Sequence, residues 1–264
     1  MRERLLGRVD EVAALDSLRH RQVNYDPARA PQDGRPEGHW HVDSGTAVIG
    51  REPPGPPVPG GPWQTACRLV GEYEFADGPI LRAVYRGDQE LLGRDMLLEA
   101  RFWVLRFYLG VRVTGVIDQT RDTGDGPERV WGWSYQTLQG HLEQGRLGYE
   151  VIKNLGTGQV LFRVSGYSRP APVPSPVIRW GFRLFGRRTQ QRFYRNVQAR
   201  MSGLLHAARR GLPLPAPTVR ADGVVLAPSG VRAHPLERLA LGWLHAGSPG
   251  SARAARLRRG STSV

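Results

Sequence analysis

The sequence predicts an α+β fold in which one antiparallel sheet wraps around a long C-terminal helix. Three observations predict it. Residues 94–168 alternate apolar and polar side chains with period two, interrupted by turn residues, as the strands of a meander do. Residues 178–208 instead carry apolar side chains every three or four positions, a helical stripe. Between a proline-rich connector and the first alternating run lie two short segments with the spacing and caps of helices.

Taken in order, RERLLGRVDEVAALDSLR places Leu5, Val9, Val12, Leu15 and Leu18 at helical spacing, which predicts an amphipathic helix within residues 1–22. In the loop that follows, Asn24 and Tyr25 are expected to dock on the main body, since a wholly solvated loop has little need of an aromatic ring. WHVDSGTAVIG, residues 40–50, is the one candidate for a strand ahead of the short helices. REPPGPPVPGGP can form neither a helix nor a central strand. PWQTACRLVGEY then puts Trp63, Ala66, Cys67, Val70 and Tyr73 on one helical face, and Asp77 with Pro79 suggests the start of a second helix, ILRAVY.

RDMLLEARFWVLRFYLGVRVTGVIDQT sets Met96, Leu98, Ala100, Phe102 and Val104 against Glu99 and Arg101, and its length implies two strands turning near Arg106–Gly110. RDTGDGPER is a polar hairpin loop; VWGWSYQTL follows with Trp131, Trp133, Tyr135 and Thr137 on one face. LGYEVIKNL and QVLFRVSGYS are two further strands joined at LGTG. From Pro176 to Arg210, Ile178, Phe182, Phe185, Thr189, Phe193, Val197, Met201, Leu204 and Ala208 mark one helix of about 50 Å. The remainder, 211–264, reads as a basic, disordered tail beyond a single domain at 23–210. This order of elements is that expected of a helix-grip fold, in which a cavity often remains between sheet and helix.

The formal net charge of +13 is unevenly spread. Residues 1–168 hold 20 basic and 22 acidic residues, whereas 169–264 hold 17 basic and 2 acidic. Every basic residue except Lys153 is arginine. The single cysteine, Cys67, excludes an internal disulfide framework and any multi-cysteine metal site, and it suits a small buried apolar residue better than a nucleophile. No run approaches the roughly 18 apolar residues of a transmembrane helix, and the N-terminus lacks a signal core, so a cytoplasmic protein is expected.

The stretch YQTLQGHLEQGR, residues 135–146, gathers the residue types that carry chemistry. His141 and Glu143 lie two residues apart, and a histidine beside a carboxylate is a proton-transfer pair. Three readings stand: His141 and Glu143 satisfy backbone groups of an irregular loop bracketed by Gly140 and Gly145 and pair with Arg169 or Arg192; they anchor a ligand; or they catalyse. The structural reading is favoured. Tyr167 and Arg169 precede Pro170 at a strand end, where Arg169 either grips an acidic ligand or pins strand to loop through Glu143. Trp133 and Tyr135 complete the candidate ligand-binding set. No metal or cofactor is expected: HWH at 39–41 is a weak metal signal, no G-x-G-x-x-G or Walker loop occurs, and Ser134 and Ser168 lack a nucleophile-elbow context.

YQTLQGHLEQG at 135–145, SGYSRPA at 165–171, RRTQQRFYRNVQARM at 187–201 and VNYD at 23–26 together resemble the family catalogued as domain of unknown function nineteen-ninety, over about residues 15–205. Gln136 and Arg146 stand where that family has glycine and glutamate, which weakens any mechanism needing two carboxylates. The resemblance implies kinship with the pollen-allergen and START/SRPBCC-like helix-grip proteins, which mostly bind apolar ligands and include a minority of cyclases and hydrolases. The leading expectation is therefore a binder of an apolar or acidic small molecule rather than an enzyme. Two alternatives accompany it. One is a hydrolase- or cyclase-like enzyme using Tyr135, His141, Glu143 and Arg169. The other is an interaction module whose 169–210 arginine face and tail hold nucleic acid or anionic membrane weakly.

Overall fold

The computed structural model describes residues 9–31, 39–102, 105–172, 176–230 and 241–244. Asp10 caps the first helix, α1 (Glu11–Ser17), by accepting a hydrogen bond from the Ala13 N–H. The part of the expected helix before residue 9 lies outside the described residues. Strand β1 (His41–Arg51) follows the loop, and the proline-rich connector then delivers Pro62 to the first turn of α2 (Pro62–Gly71), where a missing N–H costs nothing.

The expected second helix is a strand. Ile80 and Leu81 both donate to the Asp77 carbonyl, closing one turn, and the chain then extends as β2 (Leu81–Arg86). Six residues make a poor isolated helix. As a strand they gain two neighbours and bury Ala83 and Tyr85 on one face and Val84 on the other. Strands β3 (Asp95–Phe102) and β4 (Leu105–Thr123) pair from Phe102↔Leu105, so the hairpin turns ahead of the expected Arg106–Gly110. The polar loop at 121–129 is also shorter than expected. It contracts to a turn at Gly124–Asp125, between β4 and β5 (Gly126–Thr137), and Thr123 pairs with Gly126. Strands β6 (Glu143–Asn154) and β7 (Gln159–Pro170) complete the meander, and β7 pairs with β1.

Helix α3 (Pro176–Arg209) lies against β1, β7 and α2. Phe193, Val197, Met201 and Leu205 are buried on it, the four-residue spacing of one face. They join Ala66, Leu69 and Val70 of α2 and the inward residues of the sheet in one cluster, so the sheet grips the last long helix on its concave side. The stripe residues upstream of Phe193 lie outside the described side chains. On the opposite face, Leu15 and Leu18 pack on Val84, Leu97, Tyr108 and Leu138 in a second cluster.

The segment beyond residue 210 differs from the expected disordered tail. Strands β8 (Thr218–Val219) and β9 (Val224–Ala227) form a hairpin, and β9 pairs antiparallel with β2. Strand β10 (Leu241–Leu244) runs parallel to the start of β4. The order along the sheet is β1-β7-β6-β5-β4-β3-β2-β9-β8, with β10 beside β4. Residues 231–240 and 245–264 lie outside the described residues.

Candidate functional site

Strand register decides which of the predicted site residues meet. Trp133 and Tyr135 alternate onto the concave face, and Tyr149 pairs with Trp133 from β6. Tyr73 reaches the same place from the end of α2 at a backbone cost, for its φ is 64°. L-residues avoid this left-handed region, which here closes the helix as the Glu74 N–H bonds the Leu69 carbonyl. Strain of that kind persists only where the surroundings hold it. The Tyr73 ring is fully buried, edge-on to Phe75 and Tyr149 at centroid distances of 5.1 and 6.1 Å.

Three phenols thus converge in an apolar interior. The Tyr73 and Tyr149 hydroxyls lie 3.4 Å apart, and Tyr135 interacts with Tyr149. Burial holds all three above the ordinary tyrosine pKa, so they stay protonated and available as donors. Trp133 is fixed by its indole N–H, which donates to the Val70 carbonyl at 3.0 Å. Tyr194 on α3 and the Glu143 carboxylate act electrostatically on Tyr135, which places them at the same end of the interior. Of these residues, Tyr149 and Tyr194 carry no mark in the sequence. Each is an ordinary inward aromatic until register and helix packing bring it in.

The His141–Glu143 stretch is a turn tied by its own side chains. Gly140, at φ 93°, reverses the chain after β5, and the His141 N–H bonds the Leu138 carbonyl. His141 Nδ1 lies 2.9 Å from the Glu143 nitrogen and 3.1 Å from the Glu143 carbonyl oxygen, so it accepts from the N–H when the ring proton is on Nε2 and donates to the carbonyl when Nδ1 is protonated. Burial lowers the imidazole to about 4, against a backbone hydrogen bond at Glu143 that favours the cation. Gly145 lies where strands approach closely; a Cβ there would be 2.2 Å from the Tyr167 carbonyl oxygen. Its N–H donates to Thr137 Oγ1, which in turn donates to Asn24 Oδ1 at 2.7 Å.

Tyr167 and Arg169 project from the other side of the sheet, away from Tyr135. Tyr167 packs with Tyr25 and Trp40, ring centroids 5.3–6.1 Å apart and steeply inclined, and its hydroxyl meets that of Tyr25 at 3.2 Å. Arg169 Nε donates to Gln144 Oε1 at 2.8 Å, and its guanidinium lies 4.3 Å from the Trp40 ring centre. Its described hydrogen bond is therefore to the residue after Glu143, the one facing it in register. Asn24 completes the latch by donating to the Glu143 carbonyl at 2.8 Å. The expected docking of Asn24 and Tyr25 is seen. The four-residue set Tyr135, His141, Glu143 and Arg169 is split between two faces.

A pH dependence follows for His141. Its folded pKa lies below the unfolded value of 6.5, so the unfolded chain takes up the proton first and stability is lost as pH falls from 6.5 towards 4. His141→Ala should cost about 1–2 kcal/mol at neutral pH by removing the side chain that ties the Glu143 backbone, and the penalty should shrink near pH 4.5. Urea unfolding at both pH values measures this; an equal penalty at both would contradict it.

Among the described residues no three His, Cys, Asp or Glu side chains converge as a metal site, and no helix is long and apolar enough to cross a membrane. Among curated proteins none matches the chain. Solved structures similar to it include Ara h 8.0201, with TM-score 0.39 and 10% identity over 64% of this chain and 99% of that one. A norcoclaurine synthase point mutant from Thalictrum flavum, in complex with a transition state analogue, gives 0.40 and 9% over 64% and 96%. A START superfamily protein from Mycobacterium smegmatis gives 0.35 and 13% over 63% and 99%. A sequence profile matches residues 24–200, the span that contains α2, β1–β7, the Asn24–Tyr25 latch and most of α3: the chain belongs to the family of the domain of unknown function DUF1990.

Proposed function

We propose that the chain binds a small, largely apolar molecule between the concave face of the sheet and α3. One observation carries the reading: at the Tyr135 end of the interior the apolar cluster is incompletely covered. Leu147, which faces Tyr135 in register, and Tyr194 on α3 remain only partly buried against it. Apolar walls with a few convergent polar groups are the usual lining of small-molecule sites. Native mass spectrometry of the purified protein tests the reading, with a bound mass expected that disappears on denaturation. A bare chain mass, together with no thermal shift from a panel of apolar compounds, would remove it.

A second reading rests on α3, which has no acidic residue and exposes Arg192, Arg195, His206, Arg209 and Arg210. Such a face attracts polyanions, and a labelled DNA duplex should bind with an affinity that falls steeply with salt. Binding insensitive to Arg192→Gln and Arg195→Gln would count against this face.

A further inference from the structure

Resting on the interior binding site proposed above, we infer that the hydroxyls of Tyr73, Tyr149 and Tyr135 form a hydrogen-bonding subsite for the neutral carbonyl oxygen of an otherwise apolar ligand. The count of donors leads there. Three phenols hold three O–H groups. The contact between Tyr73 and Tyr149 uses one and that between Tyr149 and Tyr135 a second, whichever way the protons run. One O–H remains, on Tyr73, Tyr149 or Tyr135 according to which hydroxyls donate. Tyr73 is fully buried, whereas Tyr135 keeps 7% of its surface exposed, beside Tyr194 and Leu147. A carbonyl oxygen entering beside Tyr135 selects the arrangement in which Tyr73 donates to Tyr149 and Tyr149 to Tyr135, which turns the remaining O–H towards the ligand.

The same residues set the chemistry of the acceptor. Among the described residues, the three phenols are influenced by burial, by one another and, at Tyr135, by Tyr194 and the Glu143 carboxylate, and by no arginine or lysine. A carboxylate placed there would lose its hydration for one or two hydroxyl contacts, a poor exchange in an apolar interior. A ketone or ester oxygen loses little and gains a donor.

Benzophenone and diphenylmethane test the subsite, because they differ only in a carbonyl group replaced by a methylene group; diphenylacetate adds the carboxylate comparison. Isothermal titration should show benzophenone binding about tenfold more tightly than either of the others, the size expected of one hydrogen bond to a donor otherwise left unmade. Tyr135→Phe should abolish the preference. The infrared carbonyl stretch of bound benzophenone should shift down in the parent protein and return in Tyr135→Phe. Tyr149→Phe, which breaks the relay at its centre, should halve that shift or more. Equal binding of all three probes, or a carbonyl stretch indifferent to both substitutions, would overturn the subsite and leave the pocket standing. If no probe binds although an apolar molecule co-purifies, the subsite is likewise wrong; if nothing binds and nothing co-purifies, the pocket fails with it.

Discussion

Glu52→Ala is expected to cost about 3–5 kcal/mol, the range for removing one partner of a buried ion pair. Lys153, the only lysine in the chain, has a fully buried side chain, and that of Glu52 is 1% exposed. The Lys153 ammonium donates to Glu52 Oε2 and to the Pro56 carbonyl, both at 2.8 Å. Glu52 also accepts from the Val58 and Trp63 N–H groups at 3.1 and 2.7 Å, so one carboxylate ties the proline-rich connector and the start of α2 to β6. Burial alone would raise the Glu52 pKa, but Lys153 and the two backbone donors outweigh it and hold it below the ordinary value. Its stabilisation is therefore present above about pH 4.5 and lost as pH falls through the depressed folded value. Glu52→Leu combined with Lys153→Met should recover part of the loss, since no charge is then left stranded, though the two N–H groups remain without their acceptor. Chemical denaturation decides it. A loss under about 1 kcal/mol for Glu52→Ala, or a double variant no more stable than the single, would show that the pair is better hydrated than its burial implies.

Phe193→Ala should cost about 3–5 kcal/mol, as truncations of buried phenylalanine do. Phe193 is 5% exposed and starts the described run of α3 side chains that enter the concave cluster, with Val197 and Met201 one and two turns on. The cost combines lost burial with the cavity left beside them, which the four-residue spacing of rigid helix positions cannot close. A substitution on the opposite side of the same helix gives the control. Gly203 is exposed and a Cβ there meets nothing within 4 Å, so Gly203→Ala should stabilise the protein by up to about 1 kcal/mol through helix propensity. An unchanged unfolding midpoint for Phe193→Ala would take this part of α3 out of the core.

The elements legible in the sequence are those whose pattern is local and long. The α2 face and the α3 stripe repeat often enough to specify a helix, and β5 to β7 alternate over a dozen residues each. ILRAVY was not legible, because six residues fit either period and the strand that covers its outer edge comes from Val224–Ala227, far along the chain. The β8–β9 hairpin did leave a mark: the Asp222–Gly223 pair between Val219 and Val224 is a hairpin signal, obscured by the proline-rich stretch before it. At the site, the loop role of His141 and the docking of Asn24 and Tyr25 follow from residue type. The meeting of Tyr73, Tyr135 and Tyr149 depends on inter-strand register and on one left-handed residue, neither of which has a sequence signature.

The pairing of β9 with β2 also bears on how the chain leaves the ribosome. Strand β2 is made early, but the groups on its open edge, from Ala83 to Arg86, find their partners only when Val224–Ala227 has been synthesised. The same late segment brings Ser229, whose N–H and hydroxyl both bond the buried Glu74 carboxylate at 2.9–3.1 Å, so a buried acid also waits for its donors. Throughout translation of β3 to α3, the nascent protein therefore displays an unpaired strand edge beside an unsatisfied carboxylate. Neighbouring chains on one polysome are alike in this and can offer each other the missing pairing. Crowded synthesis therefore exposes a pairing edge that the finished molecule has covered.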